Sequence, residues 1–405
     1  MTIRRVPEDF RVQERLTAAW RSSLRTSFEE SHPHAIFELH KVSLTTPEAT
    51  QRLAKALKLK AGEVAAAGLK DKHASTSQFV SVRVKPAAIP PQSALTGPNW
   101  SATLAGWAPA EIDAAAIDCN AFTIVVRDLT RERNQRMNEG LRRLSPARDD
   151  SALSFLNYFG DQRFGSARHG DGLAGPKLCK GDFEAALKLL IGTPARKDTG
   201  ARRQLTRACA THWGNWKTVL ANSAPHSERR AVEVLASGGT FRDAFEALPS
   251  FLQQLSVEAY QSSLWNRTLA RMCTDAALTP ERGNATSADG ICETLLFPDS
   301  KLLPASWRGL EVPMLSPAVH LVAPWGDAAT AELKQEDLTP RDLRIPGLRR
   351  PAFGEAMRPM LATAREVSVA PPEKDSFEPK RLARTMSFTL PRGAYATVLL
   401  RALGE

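Results

Sequence analysis

One carboxylate in this sequence lies in a setting suited to chemistry on a polyanion. Asp71 stands between Lys70 and Lys72, and His73 follows them. The two lysines would favour an ionised carboxylate if their charges lie close to it in space. An ionised aspartate in a basic loop suits a nucleophile or a base. A Lys-Asp-Lys string by itself is more typical of a solvated turn, because short motifs often occur by chance.

The residues on either side of Asp71 indicate a loop between two pieces of β-sheet. A small apolar run, 64–67, ends at Gly68, which permits a tight backbone turn. From 79 to 84 apolar and polar residues alternate, as they do in a half-buried strand. Asp71 is therefore predicted to lie on the connection between these segments.

A strand and a helix are predicted to lead into this loop. Residues 35–41 have the pattern of a strand. The helix should begin with Thr46 as its N-cap, Pro47 in its first position and Glu48 near the positive end of the helix dipole.

Length and composition bound the class of protein. The chain has 405 residues, which is too long for one ordinary core and predicts two domains. Hydrophobic residues make up 42% and charged residues 24%, as in a globular protein, and no apolar run is long enough to predict a membrane span. Five cysteines without Cys-x-x-Cys spacing, and an N-terminus without an apolar signal, predict a cytoplasmic protein with neither a disulfide framework nor a zinc site. The net charge of +10 suggests an anionic partner.

The Asp71 segment resembles the signature of the TruD family of pseudouridine synthases, Gly-x-Lys-Asp-x-x-Ala-x-Thr-x-Gln. Six positions match that pattern, namely Gly68, Lys70, Asp71, Ala74, Thr76 and Gln78. Other stretches that resemble family motifs cover nearly the whole chain, at 7–14, 120–127, 157–165, 260–267 and 388–397. The chain differs from the family pattern in two places. Arg4 stands where a lysine is expected, which keeps the charge although arginine and lysine are not interchangeable donors. In the region 99–119, Cys119 replaces a glycine before Asn120, and the preceding stretch is acidic where relatives carry a basic cluster.

The resemblance implies roles for individual residues. It makes Asp71 the catalytic aspartate and brings Phe388 from the far end of the chain to the active site. Phe388 is the first candidate for the aromatic face that receives an extruded uracil, with Phe122 supporting the pocket. Lys70 and Arg4 would hold the carboxylate ionised or touch phosphate. The full set of predicted substrate-binding residues is Arg4, Lys70, Asn120, Phe122, Arg163 and Phe388.

The stretch from 157 to 217 is where further RNA contacts are expected. Its first motif combines aromatic rings with Gln162 and Arg163, residue types that stack on bases and bind phosphates. The stretch carries eleven Lys or Arg against five Asp or Glu. A charge run is usually a solvated face. The residues predicted to meet phosphates in its densest part are Arg196, Lys197, Arg202 and Arg203.

The resemblance also implies an α/β (α+β) architecture. A pseudouridine-synthase domain with a largely antiparallel central sheet is expected from residues 1–158 and 350–405. An inserted α/β TRUD domain, 159–349, is expected to interrupt it.

The implied reaction is the isomerisation of a uridine in tRNA, at position 13 in characterised relatives, with tRNA as the partner and with no cofactor or metal. The N-glycosidic bond at C1′ must break, the uracil must rotate, and C5 must bond to C1′. A carboxylate near C1′ and C2′ can act as nucleophile or as base, and the sequence leaves both roles for Asp71 open. The uridine must also leave its stack, so an aromatic face is expected to receive it.

Two alternatives to this enzyme remain on sequence grounds. A non-catalytic tRNA- or RNA-binding protein derived from the family would carry the same basic and aromatic residues without turnover. A hydrolase acting on nucleosides or glycosides would need paired carboxylates and a bound water, and Asp71 has no obvious acidic partner nearby in the sequence.

Overall fold

The computed structural model describes residues 2–89, 94–146, 151–165, 172–195, 198–290 and 293–404. The chain forms two compact units, one of residues 1–154 and 362–405 and the other of residues 155–361. The first unit is therefore discontinuous in sequence. The assignment of 159–349 as an inserted TRUD domain remains a prediction. Among the helices of the described residues, none is long and apolar enough to cross a membrane.

The elements are numbered in chain order. The strands are β1 (Phe10–Leu16), β2 (His34–Val42), β3 (Val64–Ala66), β4 (Ser75–Arg83), β5 (Ala94–Gly97), β6 (Trp100–Ala108), β7 (Ile117–Leu129), β8 (Leu153–Leu156), β9 (Ala285–Asp289), β10 (Thr294–Pro298), β11 (Glu311–Pro313), β12 (Met357–Pro359), β13 (Leu361–Val369), β14 (Glu373–Lys374) and β15 (Leu382–Pro391). The helices are α1 (Ala18–Ser23), α2 (Thr46–Ala56), α3 (Arg131–Leu144), α4 (Ala174–Cys179), α5 (Phe183–Leu187), α6 (Gly200–His212), α7 (Trp216–Ala221), α8 (Arg229–Ala236), α9 (Phe241–Glu246), α10 (Ser250–Asp275), α11 (Gly326–Lys334) and α12 (Ala396–Ala402).

The large sheet is mainly antiparallel, which confirms the predicted fold class. Over the described residues it has eleven strands in the order β5-β6-β2-β4-β1-β7-β15-β13-β8, with β3 beside β4 and β14 beside β15. The central pair β1 and β4 is parallel, with Arg11 opposite Ser75. Because parallel neighbours begin at the same edge of a sheet, the segment before β1 and the loop before β4 emerge side by side.

Strand β7 brings the predicted pocket residues together. It pairs in antiparallel fashion with β1 on one side and β15 on the other, so Phe122 lies between Val12 and Phe388. The same register puts Asn120 opposite Glu14. Residues more than 370 positions apart thus become neighbours across three strands.

Helix α2 covers the sheet next to the Asp71 loop. Its buried stripe includes Leu53, which belongs to one apolar cluster with Phe37 of β2 and Val80 of β4. The predicted N-cap, Thr46, was wrong: Thr45 is the N-cap, and its hydroxyl accepts from the backbone N–H of Glu48 at 3.2 Å. The Glu48 carboxylate accepts in turn from the backbone N–H of Thr45 at 2.7 Å. A cap one residue earlier leaves the Thr46 hydroxyl available for other partners.

The second unit is built around the long helix α10. Tyr260 and Trp265 of this helix are fully buried, and the Trp265 indole N–H donates to the Val312 carbonyl at 3.3 Å. Two short antiparallel pairs, β9 with β10 and β11 with β12, complete the β-structure of its described residues. Trp265 is therefore a core residue.

Candidate active site

Asp71 lies on the loop between β3 and β4, as predicted, and its carboxylate meets an arginine. The Arg4 Nη2 donates to Asp71 Oδ2 at 2.7 Å, with 35% of the Arg4 side chain and 20% of the Asp71 side chain exposed. The Arg4 guanidinium also lies over the ring of Phe10, with Cζ 4.3 Å from the ring centroid. The parallel β1–β4 pair explains this meeting, because Arg4 precedes β1 and Asp71 precedes β4. The carboxylate is thus paired with a cationic side chain and remains accessible to solvent.

The two lysines that flank Asp71 have different partners. The Lys70 Nζ lies 2.6 Å from Glu14 Oε1 and donates to Asn120 Oδ1 at 2.8 Å. The exposed Lys72 ammonium lies 3.7 Å from a carboxylate oxygen of Glu48 on α2. Lys70 therefore ties the loop to β1 and β7, while Lys72 reaches toward the helix.

Glu14 is a buried anchor that the sequence reasoning did not single out. Its side chain is 1% exposed, and its Oε2 accepts from the backbone N–H of Phe79 at 2.8 Å while Oε1 holds Lys70. Glu14 closes the motif at 7–14, so the match was visible in the sequence. Its role depended on the pairing of β1 between β4 and β7, which the motif does not reveal.

Buried polar side chains also hold the backbone of the loop. The Thr46 hydroxyl accepts from the backbone N–H of Lys70 at 2.9 Å and donates to Gln78 Oε1 at 2.9 Å. The Gln78 Nε2 donates to the Gly68 carbonyl at 3.1 Å. Both ends of the segment 68–70 are therefore bound by side chains from α2 and β4.

Lys41 of β2 completes this support, and nothing in the sequence marked it. It is wholly buried, and its Nζ donates to the carbonyls of Asp71 at 2.8 Å, Leu44 at 2.8 Å and Lys70 at 3.4 Å. Burial lowers the pKa of Lys41 to about 8, although the nearby Asp71 charge acts in the opposite direction.

Three phenylalanines form a ladder beside Arg4. The rings of Phe122 and Phe388 are stacked, with centroids 5.4 Å apart and planes at 22°, and Phe10 meets Phe122 edge to face at 6.0 Å. Phe388 is only 2% exposed, whereas Phe122 is partly exposed. The sequence predicted Phe388 as the first candidate for the stacking face, and that role stays a prediction. Because Phe388 is buried, Phe122 is the accessible ring of the pair.

Arg163 is placed in the second unit. Its Nη1 lies 2.9 Å from Glu258 Oε2, and its Nε donates to the Ser262 hydroxyl at 3.1 Å. The structure therefore gives this arginine partners on α10, and it is not one of the first-unit residues around Asp71.

The basic cluster of the second unit is only partly described. Arg196 and Lys197 lie outside the described residues. Arg202 Nε lies 3.1 Å from Glu228 Oε1, and Arg203 Nε donates to the Asp198 carbonyl at 2.7 Å. Phosphate contact by these residues stays a prediction.

Comparison with known proteins decides the family. The family model described as tRNA pseudouridine synthase D (TruD) matches residues 1–292. The chain belongs to the TruD family. It is 27% identical over 415 residues to the tRNA pseudouridine synthase D of Aquifex aeolicus, covering 99% of this chain and 97% of the relative. It is 31% identical over 427 residues to a "Probable tRNA pseudouridine synthase D" of Pyrobaculum aerophilum, covering 98% and 91% of the two chains.

A solved structure supports the fold of this TruD-family chain. A crystal structure assigned to TruD from Methanosarcina mazei has a TM-score of 0.69 and 21% sequence identity, and the match covers 99% of this chain and 92% of the other. At this identity the likeness bears on the fold alone. In the part of this chain that the structure describes, no group of three or more His, Cys, Asp or Glu side chains is arranged to hold a metal ion.

Proposed function

We propose that this TruD-family chain is a tRNA pseudouridine synthase and that it converts the uridine at position 13 of tRNA. The observation that carries the proposal is the meeting of four motifs that are distant in the sequence. Arg4 reaches Asp71 at 2.7 Å and lies over Phe10, which contacts the stacked pair Phe122 and Phe388. A solvent-accessible carboxylate, a paired cation and an accessible ring are the groups that an extruded uridine requires.

Asp71 performs the covalent or proton-transfer step in its ionised form. As a nucleophile it attacks C1′ while the C1′–N1 bond breaks; as a base it removes a proton from C2′. In either route the freed uracil rotates and C5 bonds to C1′. In the first route this step breaks the bond between the Asp71 carboxylate and C1′, and in the second the proton taken from C2′ is returned to C2′. The proton on C5 is then lost and N1 gains one, so atoms balance as an isomerisation. The Arg4 guanidinium pairs with the anionic carboxylate before the step. When Asp71 forms a bond to C1′ or takes up a proton it loses its negative charge, and Arg4 can then pair with a phosphate of the tRNA.

The aromatic ladder and the buried polar residues prepare this step. Phe122 offers the accessible ring on which the extruded uracil stacks, and Phe388 supports that ring from beneath. Lys70, on the Asp71 loop, donates to Asn120 of β7 at 2.8 Å, and Phe122 lies two residues further along that strand. Asn120 is proposed to contact the uracil. Arg163 is proposed to contact the tRNA from the second unit.

The test is to map pseudouridine in unmodified tRNA transcripts after incubation with the pure protein. We expect one pseudouridine, at position 13, and no release of free uracil. A transcript with cytidine at position 13 is the matched control and should stay unmodified.

Each other result would change the proposal in a defined way. Tight tRNA binding without pseudouridine would indicate a non-catalytic RNA-binding protein. Release of uracil would indicate a hydrolase. Pseudouridine at another position would keep the enzyme class and replace the target.

A further inference from the structure

Lys41 carries a charge in a place where charge is costly. The side chain is completely buried, and burying an ammonium is strongly unfavourable unless its donors are satisfied. A protonated lysine has three N–H donors. Lys41 directs its Nζ to three backbone carbonyls, those of Leu44, Lys70 and Asp71. The ammonium form therefore matches its surroundings donor for acceptor.

Two of those carbonyls belong to the loop that carries the candidate catalytic carboxylate. The Lys41 Nζ lies 2.8 Å from the Asp71 carbonyl oxygen, and the Thr46 hydroxyl holds the backbone N–H of Lys70 at 2.9 Å. The peptide group between Lys70 and Asp71 is thus flanked by bonds from two buried side chains. Backbone torsions limit the rotamers that a side chain can adopt. By holding the backbone, this support therefore limits the directions open to the Asp71 carboxylate, which Arg4 binds at 2.7 Å.

We propose that Lys41 is a positioning residue for Asp71. Its buried ammonium donates hydrogen bonds to the Lys70 and Asp71 carbonyls and so holds the carboxylate in its reactive orientation toward the ribose. The inference rests on the proposed function of Asp71. It assigns Lys41 no contact with the substrate.

The charge on Lys41 should give the reaction a characteristic pH dependence. The charged groups near its Nζ are Asp71 and Lys70 on the loop and Glu48 on α2. Burial, joined by the Lys70 charge, outweighs Asp71 and Glu48 and lowers the pKa of Lys41 to about 8. As pH rises through this value the amine keeps two N–H donors for three carbonyls. The chemical rate should then fall while tRNA affinity is unchanged.

The decisive experiment compares single-turnover rates, tRNA affinity and melting temperature for Lys41→Met and Lys41→Ala. We expect Lys41→Met to lower the rate about 100-fold, as for a displaced catalytic group, with a tRNA Kd within about twofold of wild type. Propylammonium has the atoms that Lys41→Ala removes, and it should restore at least about tenfold of the lost rate. Lys55→Met, on the exposed side of α2, is the matched control and should behave as wild type.

The outcomes separate this inference from the proposed function. A wild-type protein that makes no pseudouridine would overturn the proposed function itself. An active wild type together with a folded Lys41→Met that keeps more than about a third of the rate would overturn only the role of Lys41. If Lys41→Met fails to fold, the wild-type profile decides: a chemical rate that stays level up to about pH 10, near the ordinary pKa of lysine, would also overturn it.

Discussion

Two segments that match family motifs differ in how their best-placed polar residues are used. In the segment 68–78, side chains from elsewhere bind the backbone: Lys41 holds the Asp71 carbonyl and Thr46 holds the Lys70 N–H. The side chain of Asp71 is left at the surface, where Arg4 meets it. The side chains that hold this loop are therefore buried, while the candidate catalytic carboxylate is accessible to solvent.

In the segment 157–165 the side chains of the motif themselves make the structural bonds to other parts of the second unit. The Asn157 Nδ2 donates to the Pro359 carbonyl at 3.0 Å, and the fully buried Tyr158 donates its hydroxyl to the Leu296 carbonyl at 3.0 Å. Arg163 is bound to Glu258 and Ser262 of α10. A motif match therefore identifies a segment but not the role of each residue in it. Whether a side chain is bonded within the fold or left accessible to solvent distinguishes a structural residue from a candidate functional one.

The largest expected effect follows from replacing the accessible carboxylate. Asp71→Asn keeps the shape of the side chain and removes its charge, so we expect pseudouridine formation to fall about 10³-fold or more. Melting temperature and tRNA affinity should stay close to wild type. Asp289→Asn, an exposed aspartate of the second unit, is the control. A variant that retains a tenth of wild-type turnover would remove Asp71 from its catalytic role.

Paired glutamate variants compare the supports of the two segments. Glu14→Ala removes the buried carboxylate that pairs with the partly buried Lys70 ammonium, which should lower the free energy of unfolding by about 3–5 kcal/mol. Glu258→Ala removes the partly exposed partner of Arg163 and should cost only about 0–1 kcal/mol. Urea denaturation of both variants measures the difference. Equal losses would show that the two supports are energetically alike.

Replacing the two stacked rings one at a time should affect different properties: Phe388 the stability of the fold, and Phe122 the rate of the reaction. Phe388→Ala empties a buried site and should lower the free energy of unfolding by about 3–5 kcal/mol. Phe122→Ala should cost less stability but lower kcat/KM by an amount equivalent to about 1–3 kcal/mol, the worth of one base stack. Thermal melting and kinetics on both variants provide the check. If Phe388→Ala melts like wild type and loses kcat/KM instead, Phe388 is the stacking face after all.

The smallest effect is expected at Arg163. Its ion pair with Glu258 is partly exposed, so Arg163→Ala should change the free energy of unfolding by less than about 1 kcal/mol. The loss of one phosphate contact should raise KM a few-fold and leave kcat unchanged. Steady-state kinetics at fixed salt gives both constants. A large fall in kcat would place Arg163 with Asp71 among the functional residues and break the comparison.

Local patterns were enough to predict the elements around the site. The alternation at 79–84 and the stop at Gly68 predicted the loop that carries Asp71, and strand β4 and loop are where expected. The motif matches predicted the mainly antiparallel sheet and the family. Local patterns failed at the helix cap, because Thr45 and Thr46 have equally suitable hydroxyls and only the path of the chain selects one.

The sequence by itself determined the family and the class of fold and predicted the carboxylate, since each motif consists of residues that are close together in the chain. Only the tertiary structure decided which groups surround that carboxylate. Arg4 reaches Asp71 because β1 and β4 run parallel, and Glu14 meets Lys70 because β1 lies between β4 and β7. Lys41 has no local feature that distinguishes it from a surface lysine. Its importance arises from burial against three carbonyls, and burial depends on strand order and register rather than on neighbouring residues.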